Sequence, residues 1–145
     1  MNKIRKFDEK MTDDVLRIWL DVNREAHDFI PCSYWEKSIR NMKKELSNLN
    51  IYVYEANGVV KGFVKMTKDN HILGVYVDRP YRREGIGSKL LMKCKEEREK
   101  LTLEVYLKNE SALEFYKKHG FRHYRHQVDL GTIEREFVMK WSNRN

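Results

Sequence analysis

The sequence predicts an α/β (α+β) fold in which one mixed β-sheet is flanked by helices. Three observations support this prediction. Short runs rich in β-branched and aromatic residues alternate with segments of helical periodicity. Asn57-Gly58 separates two of the β-rich runs, which is a strong hairpin signal. No internal repeat, low-complexity segment or linker interrupts the sequence, so residues 1–145 are expected to form a single domain.

The first half of the chain predicts a strand, two helices and a hairpin. The first helix shows apolar residues at helical spacing, and either Thr12 or Asp13 can cap its start. Pro31 separates the two helices. The predicted elements are a strand over 3–7, a helix through Val15, Ile18, Trp19, Val22 and Ala26, a helix over 33–49, and hairpin strands over 51–56 and 59–66.

The second half predicts a central strand, a polar turn and two further strand–helix units. Residues 71–77 are mostly apolar, as expected for a strand buried on both faces of a sheet. Gly120 is expected to end the last helix as a C′ glycine. The remaining elements are a helix over 85–98, a strand over 101–107, a helix over 109–119, and strands over 121–130 and 133–141, giving the order β-α-α-β-β-β-α-β-α-β-β.

The composition indicates a basic globular protein with a formal net charge of +7. The N-terminal residues lack the apolar core of a secretory signal, and no stretch approaches the ~20 apolar residues of a membrane helix. Cys32 and Cys94 show no metal or redox spacing, so we expect reduced thiols, a cytoplasmic location and no metal. A basic chain can bind nucleic acid, an acidic membrane surface or a polyanionic cofactor, and charge alone does not choose between them.

A glycine-containing turn follows the predicted central strand and opens a helix. It comprises Arg82, Arg83, Glu84, Gly85, Ile86, Gly87 and Ser88. Helix N-termini present unpaired N–H groups, and glycine lets a phosphate approach them closely. The third glycine of a dinucleotide fingerprint is missing, because position 90 is Leu, and no Gly-Lys-Ser/Thr of a P-loop follows. The turn therefore predicts a pyrophosphate site, with a simple structural turn as the alternative.

Two motifs in register resemble those of the GNAT superfamily of N-acetyltransferases. The first is Arg82-x-x-Gly85-x-Gly87 after the strand Gly74-Val75-Tyr76-Val77-Asp78, which is similar to the acetyl-CoA signature of that family. The second is Asn109-x-x-Ala112-x-x-x-Tyr116-x-x-x-Gly120-Phe121. Together they cover residues 71–121. The region HDFIPCSYW at 27–35 more loosely resembles the acceptor side of small bacterial members, some of which acetylate protein lysines.

The resemblance implies a splayed, seven-stranded sheet with about four helices, and acetyl-CoA as the co-substrate. The strands over 71–77 and 101–107 would run parallel and diverge, and the pantetheine arm would fill the gap. The residues implied in cofactor binding are Val75, Tyr76 and Val77 on the strand, Arg82, Arg83, Glu84, Gly85, Ile86, Gly87 and Ser88 at the turn, and Asn109 beyond the next strand.

The resemblance also implies direct attack of a neutral amine on the thioester. Tyr116 is the predicted general acid, since a phenol can protonate the leaving thiolate, and an inward structural tyrosine is the alternative. His71 is the candidate base, because histidine as a residue type titrates near neutral pH. No glutamate lies on the strand 71–77, which departs from one common family arrangement. A water chain that ends at a main-chain carbonyl is therefore the rival to His71.

The acceptor side is less defined by the sequence. His27, Phe29, Tyr34 and Trp35 are candidates for lining an acceptor groove, although aromatic residues at this spacing also suit a core. Asp28, Glu36 and Asp129 can attract a cationic amine, but solvated surface is the simpler reading of each.

Two other function classes stay open at this point. Basic and aromatic residues interleave at Lys117, Lys118, Arg122 and Arg125 with Tyr116, Phe121 and Tyr124, as in a nucleic-acid-binding module, but no known nucleic-acid motif accompanies them. A non-catalytic CoA-binding sensor is the third class. Protein lysine, a protein N-terminus, a polyamine and an aminoglycoside or other small amine all remain possible acceptors, and the chain is expected to be a monomer or a homodimer without membrane association.

Overall fold

The computed structural model describes residues 2–144, which contain one seven-stranded sheet in the order β1-β2-β3-β4-β5-β7-β6. Met1 and Asn145, the ends of the expected domain, lie outside the described residues. The strands are β1 (Asn2–Lys6), β2 (Asn50–Ala56), β3 (Val59–Met66), β4 (His71–Val77), β5 (Lys100–Tyr106), β6 (Arg122–Asp129) and β7 (Glu134–Ser142). The helices are α1 (Thr12–Ala26), α2 (Cys32–Glu45), α3 (Ile86–Glu97) and α4 (Glu110–Lys118). The predicted order of elements and the mixed sheet with four α-helices are confirmed.

Two apolar cores cover the two faces of the sheet. On the face we call the acceptor face, α1 and α2 pack over β2, β3 and β4 around Ile18, Trp35 and Phe63. On the opposite face, which we call the cofactor face, α3 and α4 pack around Leu90 and Leu103. On the acceptor face, β5, β6 and β7 carry polar side chains instead.

The β2–β3 hairpin shows how local chemistry fixes strand register. Asn57 and Gly58 have φ of 52° and 76°, as a two-residue turn of the mirror-image type requires. The turn aligns Ala56 with Val59, and one bulge near Tyr54 then shifts the pairing. The hairpin prediction is therefore confirmed.

The parallel pair β4–β5 opens into a wedge after two residue pairs. His71 pairs with Thr102 and Ile72 with Leu103, and the pairing stops there. The β3–β4 register shows the cause, because Lys65 faces Gly74 whereas Met66 faces Ile72. Leu73 is thus the extra residue of a β-bulge, and a bulge bends the strand away from its neighbour. The predicted splayed sheet is confirmed, with His71 at the closed end of the wedge.

Three expectations for this part of the chain are wrong in detail. β4 is not buried on both faces, because Leu73 is 39% exposed beside the wedge. Neither Thr12 nor Asp13 caps α1. Instead Asp8 caps a preceding 3-10 turn by accepting a hydrogen bond from the Lys10 N–H, and the chain enters α1 directly from that turn. The second helix ends as an α-helix at Glu45, and a 3-10 turn follows it.

The two cysteines lie apart, Cys94 buried in α3 and Cys32 exposed at the start of α2. Within residues 2–144, none of the helices combines the length and the apolar character needed to span a membrane.

Candidate active site

The tip of α3 carries amide groups without helical acceptors. The intrahelical ladder starts with the Lys89 N–H, which donates to the Gly85 carbonyl at 3.1 Å. The amides of Ile86, Gly87 and Ser88 precede that bond and have no intrahelical partner. Gly85 has φ of +77°, and a Cβ added to it would meet no atom within 4 Å. The tip therefore combines free donors, the positive end of a helix dipole and open space, which suits a phosphate group.

Charged contacts hold the turn before α3 against α1. Asp78 is buried and accepts hydrogen bonds from the Arg17 guanidinium at 3.0 Å and from the Arg79 N–H at 3.1 Å. The Arg82 side chain forms an ion pair with Glu25 and donates to the Val77 carbonyl at 3.3 Å. These contacts hold the end of β4 and the turn before α3 against α1.

Tyr116 reaches from α4 to the backbone of β4 inside the wedge. Its side chain is buried at 7% exposure. Burial raises the pKa of its phenol well above the usual range, and a hydrogen bond with the Val75 backbone opposes this rise only in part. Tyr116 is therefore a protonated hydroxyl on the cofactor face, in contact with the backbone of β4.

Asn109 and His27 link the start of α4 to the end of α1. Asn109 caps α4 by accepting from the Ala112 N–H at 3.2 Å, and its Nδ2 lies 3.1 Å from His27 Nε2. His27 Nδ1 lies 3.1 Å from Asn23 Oδ1. Burial lowers the pKa of His27 to about 4, so the ring is neutral. A neutral ring that donates from Nδ1 and accepts at Nε2 satisfies both contacts.

An aromatic cluster lies on the acceptor face between the end of α1, the start of α2 and the end of β5. His27 contacts Trp35 at 5.4 Å, Phe29 at 5.8 Å and Tyr106 at 4.9 Å between ring centroids, and Tyr34 contacts Trp35 at 4.9 Å. Trp35 is buried at 7% exposure, and its indole nitrogen has no hydrogen-bond partner. The four predicted acceptor residues are thus brought together, with Trp35 as part of the core.

A hydrogen-bonded chain of polar side chains crosses β4, β5, β6 and β7 on the acceptor face. His71 Nδ1 lies 2.6 Å from Thr102 Oγ1, and His71 Nε2 lies 3.3 Å from Glu104 Oε1. The Gln127 amide nitrogen donates to Glu104 and, at 2.9 Å, to Glu136 Oε1. Burial and the neighbouring Glu104 raise the pKa of Glu136 to about 7. The chain starts at the closed end of the wedge and can accept or store a proton near neutral pH.

A second carboxylate group stands beside the aromatic cluster. Asp129 accepts hydrogen bonds at 2.8 Å from the Tyr106 hydroxyl and at 2.8 Å from the Thr132 hydroxyl. A Cβ added at Gly131 would lie 3.0 Å from the Tyr34 hydroxyl, so the β6–β7 turn touches α2. Asp129 is therefore a half-buried, hydrogen-bonded carboxylate beside the aromatic cluster rather than solvated surface. Asp28 and Glu36 are exposed, and Glu36 pairs with Arg24.

A protein-family model described as an acetyltransferase (GNAT) domain matches residues 47–123, more than half of the chain, including the wedge, the α3 tip and Tyr116. The chain belongs to the GNAT acetyltransferase family. It is accordingly an acetyl-CoA-dependent N-acetyltransferase. The chain is also 30% identical over 139 residues to the peptidyl-lysine N-acetyltransferase YiaC of Escherichia coli (strain K12). The matched region covers 95% of this chain and 92% of that protein.

Solved structures show the same GNAT fold. The apo form of YjaB from Escherichia coli matches with a TM-score of 0.85 at 24% identity, over 97% of each chain. The PaiA N-acetyltransferase from Thermoplasma acidophilum, solved in complex with coenzyme A, matches with a TM-score of 0.82 at 20% identity, over 98% of this chain and 99% of that one. These likenesses support the sheet topology and not the role of any single residue.

The predicted cofactor residues of this GNAT chain lie along one path, but two of their side chains face elsewhere. The path runs along β4, the turn and the tip of α3, with Asn109 on the opposite rim. The Tyr76 ring stacks on Phe63 in the acceptor-face core at 4.8 Å, and the Ile86 side chain is buried at 1% exposure. Only the backbones of Tyr76 and Ile86 can therefore meet a ligand. The Glu84 carboxylate pairs with Lys61 at 3.7 Å.

Four residues of the polar chain were missed by sequence reasoning, namely Thr102, Glu104, Gln127 and Glu136. Alternation along β5 does place Thr102, Glu104 and Tyr106 on one face, since Leu101, Leu103 and Val105 fill the core. That pattern alone does not say which residues of β6 and β7 lie beside them.

Within residues 2–144, no group of three or more His, Cys, Asp or Glu side chains is placed to hold a metal ion.

Proposed function

We propose that this protein transfers the acetyl group of acetyl-CoA to the ε-amino group of lysine side chains in proteins or peptides. The observation that carries the proposal is the open wedge between β4 and β5, bordered on the acceptor face by the carboxylates of Glu104 and Glu136. Carboxylates beside the reaction point attract a cationic amine and can take its proton. The resemblance to a peptidyl-lysine N-acetyltransferase supports a lysine acceptor.

The residues present fit acetyl-CoA. The amides from Arg83 to Ser88 would hold the pyrophosphate, since the α3 tip offers free donors and open space. The backbone of Val75 and Val77 would pair with the pantetheine amides, because β4 has no strand partner on the wedge side after Ile72. The bound thioester supplies the activated acetyl group. Arg82 and Asn109 would position the two rims of the wedge.

Replacing Gly85 by alanine is expected to weaken acetyl-CoA binding about 10-fold, because the added methyl group stands in the space through which a phosphate reaches the α3 amides. Isothermal titration calorimetry with acetyl-CoA measures this change. Gly58→Ala is a matched control, since Gly58 has φ of +76° and also has no atom within 4 Å of an added Cβ. Both variants should lose similar stability, but only Gly85→Ala should lose affinity. Equal affinity in both variants would remove the α3 tip from the binding site.

The proposed transfer needs one proton acceptor and one proton donor on opposite faces of the wedge. The His71–Glu104 pair on the acceptor face would take one proton from the acceptor ammonium, so that the neutral nitrogen can bond to the acetyl carbon as the carbon–sulfur bond breaks. Tyr116 would give its phenolic proton to the departing sulfur from the cofactor face, and would regain a proton, through solvent, from the new amide nitrogen. The lysine ammonium and the thioester become acetyl-lysine, CoA thiol and one proton, which leaves the His71–Glu104 pair for solvent, so atoms and charge balance.

Replacing His71 by glutamine is expected to lower kcat/KM about 100-fold, because glutamine keeps the size of the side chain and cannot take the proton of the acceptor ammonium. Rates with a lysine peptide at saturating acetyl-CoA, measured from about pH 5.5 to about pH 9, give kcat/KM and its pH profile.

Glu136→Gln is the companion variant, because burial and Glu104 raise the pKa of Glu136 to about 7 and so place a second candidate proton acceptor in the same chain. An acidic limb that survives in His71→Gln but disappears in Glu136→Gln would assign the proton acceptor to Glu136 instead. A limb that survives in both variants would favour a water chain that ends at a main-chain carbonyl.

Release of CoA thiol in the presence of a panel of amines tests the function itself. The panel contains lysine peptides with a blocked N-terminus, peptides with a free N-terminus and no lysine, polyamines and aminoglycosides. The proposal expects the blocked lysine peptides to give the highest kcat/KM. Acetylation restricted to N-terminal or small amines would overturn the lysine assignment.

The single domain, the cytoplasmic location and the monomeric or homodimeric state stay predictions.

A further inference from the structure

A basic cleft lies at the closed end of the wedge, away from the α3 tip. Its volume is about 780 Å³, and its lining includes the cationic residues Lys100, Lys117, Arg122, Lys140 and Arg144. Among residues 2–144, Asp69 is the one carboxylate in that lining. The cofactor site described above uses none of these groups, so their concentration calls for a different ligand.

The basic cleft is continuous with the groove beside the polar chain. That groove has a volume of about 390 Å³ and is lined by His71 and Glu104 together with Arg125, Val138 and other residues. Thr102, Tyr124 and Lys140 line both spaces. A ligand that reaches His71 and Glu104 therefore also meets the cations of the basic cleft.

The cations nearest the groove are held in place without carboxylate partners. Lys140 Nζ lies 3.5 Å from the centroid of the Tyr124 ring, and the Arg125 guanidinium lies 5.8 Å from it. Neither cation forms an ion pair within the described part of the chain, nor does Arg122. Tyr124 is 56% exposed, so the ring and both cations face solvent. Their charge is available to an incoming anion.

We propose, on the basis of the lysine acetylation proposed above, that the favoured acceptor is a lysine with aspartate or glutamate close to it in sequence. Its ammonium group lies at the carboxylates of Glu104 and Glu136, and the neighbouring carboxylates lie at Arg125 and Lys140. Thr102 pairs with Lys140 and Glu104 pairs with Val138, so Lys140 stands two residues along the sheet from Glu104. Two residues of a strand span about 7 Å, which an extended peptide also covers in about two residues. The acidic residues are therefore expected within about two positions of the lysine.

A nucleic acid fits the same surface less well. Its backbone would place phosphates beside Glu104 and Glu136, which repel them. Of the aromatic residues that interleave with the basic ones, Tyr116 and Phe121 are buried, which leaves Tyr124 to stack on a base. A peptide that carries both signs of charge matches a groove that carries both signs.

The test compares three peptides with a blocked N-terminus and one lysine, flanked on each side by two Glu, two Gln or two Arg residues. At low salt kcat/KM for the Glu-flanked peptide is expected to exceed that for the Gln-flanked peptide about 10-fold, and the Arg-flanked peptide is expected to be the poorest. The ratio should shrink toward one in ~0.5 M salt, because exposed charges are screened. The difference should appear mainly in KM, since it concerns binding rather than proton transfer.

The double variant Arg125→Gln/Lys140→Gln is expected to bring the Glu-to-Gln ratio down to about 2. The control double variant Lys3→Gln/Lys10→Gln removes the same charge from exposed positions near β1, at the far edge of the sheet, and should keep the ratio of the wild type. Equal kcat/KM for all three peptides would overturn the acidic-flank proposal and leave lysine acetylation standing. Absence of product with every peptide overturns both proposals, and inhibition by a single-stranded oligonucleotide without any flank preference would assign the basic cleft to nucleic acid.

Discussion

Replacing Tyr116 by phenylalanine is expected to lower kcat at least 100-fold, because general acid catalysis typically contributes about 10²- to 10⁴-fold. The change removes one oxygen from a buried ring that packs between Phe115 and Phe121, so the packing of α4 should persist. Burial raises the pKa of the Tyr116 phenol, which keeps its proton throughout the pH range of the assay. Steady-state release of CoA thiol with a lysine peptide measures the loss.

Acetyl-CoA affinity separates a catalytic role of Tyr116 from a structural one. The dissociation constant for acetyl-CoA should stay within about 3-fold of wild type, since the hydroxyl acts on the leaving sulfur and not on the nucleotide. Tyr52→Phe is the matched control, because Tyr52 lies on β2 next to Glu97 of α3, away from the wedge. An unchanged kcat in Tyr116→Phe would take Tyr116 out of the mechanism and make it a satisfied core tyrosine.

Replacing Lys65 by methionine is expected to stabilise the protein by about 2 kcal/mol near pH 7. Lys65 is buried at 7% exposure on the acceptor face, and its ammonium donates to Met42 Sδ at 3.2 Å without a carboxylate hydrogen bond. Burial lowers its pKa from an ordinary 10.5 to about 8. A shift of this size corresponds to a cost of about 3 kcal/mol for keeping the charge buried. Methionine removes that cost, but it also removes the cation–π contacts of Lys65 with Trp19 and Tyr76, which contribute about 1 kcal/mol.

Lys65 is expected to make the stability of the protein depend on pH. Between about pH 8 and 10.5 the unfolded chain keeps the proton that native Lys65 has lost, so the unfolded state binds more protons and stability rises with pH. The advantage of Lys65→Met should therefore be largest below pH 8 and shrink above it. Urea unfolding at pH 7 and at pH 10 measures both differences. Lys68→Met, at an exposed position of the β3–β4 turn, is the control and should change stability at neither pH. A lower free energy of unfolding for Lys65→Met than for the wild type would mean that the buried cation stabilises the core.

Local signals in the chain were sufficient for the element order and for the ligand-facing turn. Asn57-Gly58 predicts the β2–β3 hairpin because few other residues adopt positive φ at both positions. Gly120 ends α4 with φ of +86°, as a C′ glycine should. Gly85, with φ of +77°, marks the tip of α3 for the same reason. In each case the conformational preferences of a few adjacent residues specify the structure.

Long-range contacts were beyond the reach of those signals. The polar chain from His71 to Glu136 requires the register of β5, β6 and β7, and a shift of one residue would turn Glu104 or Glu136 to the other face. The burial of Lys65 depends on how α1 and α2 cover β3. The expected cap at Thr12 or Asp13 was wrong because an unpredicted 3-10 turn precedes α1. Backbone preferences act between neighbours in sequence, and the sequence alone could therefore predict them. Contacts between side chains of distant strands depend on β-bulges and packing, which only the complete fold determines.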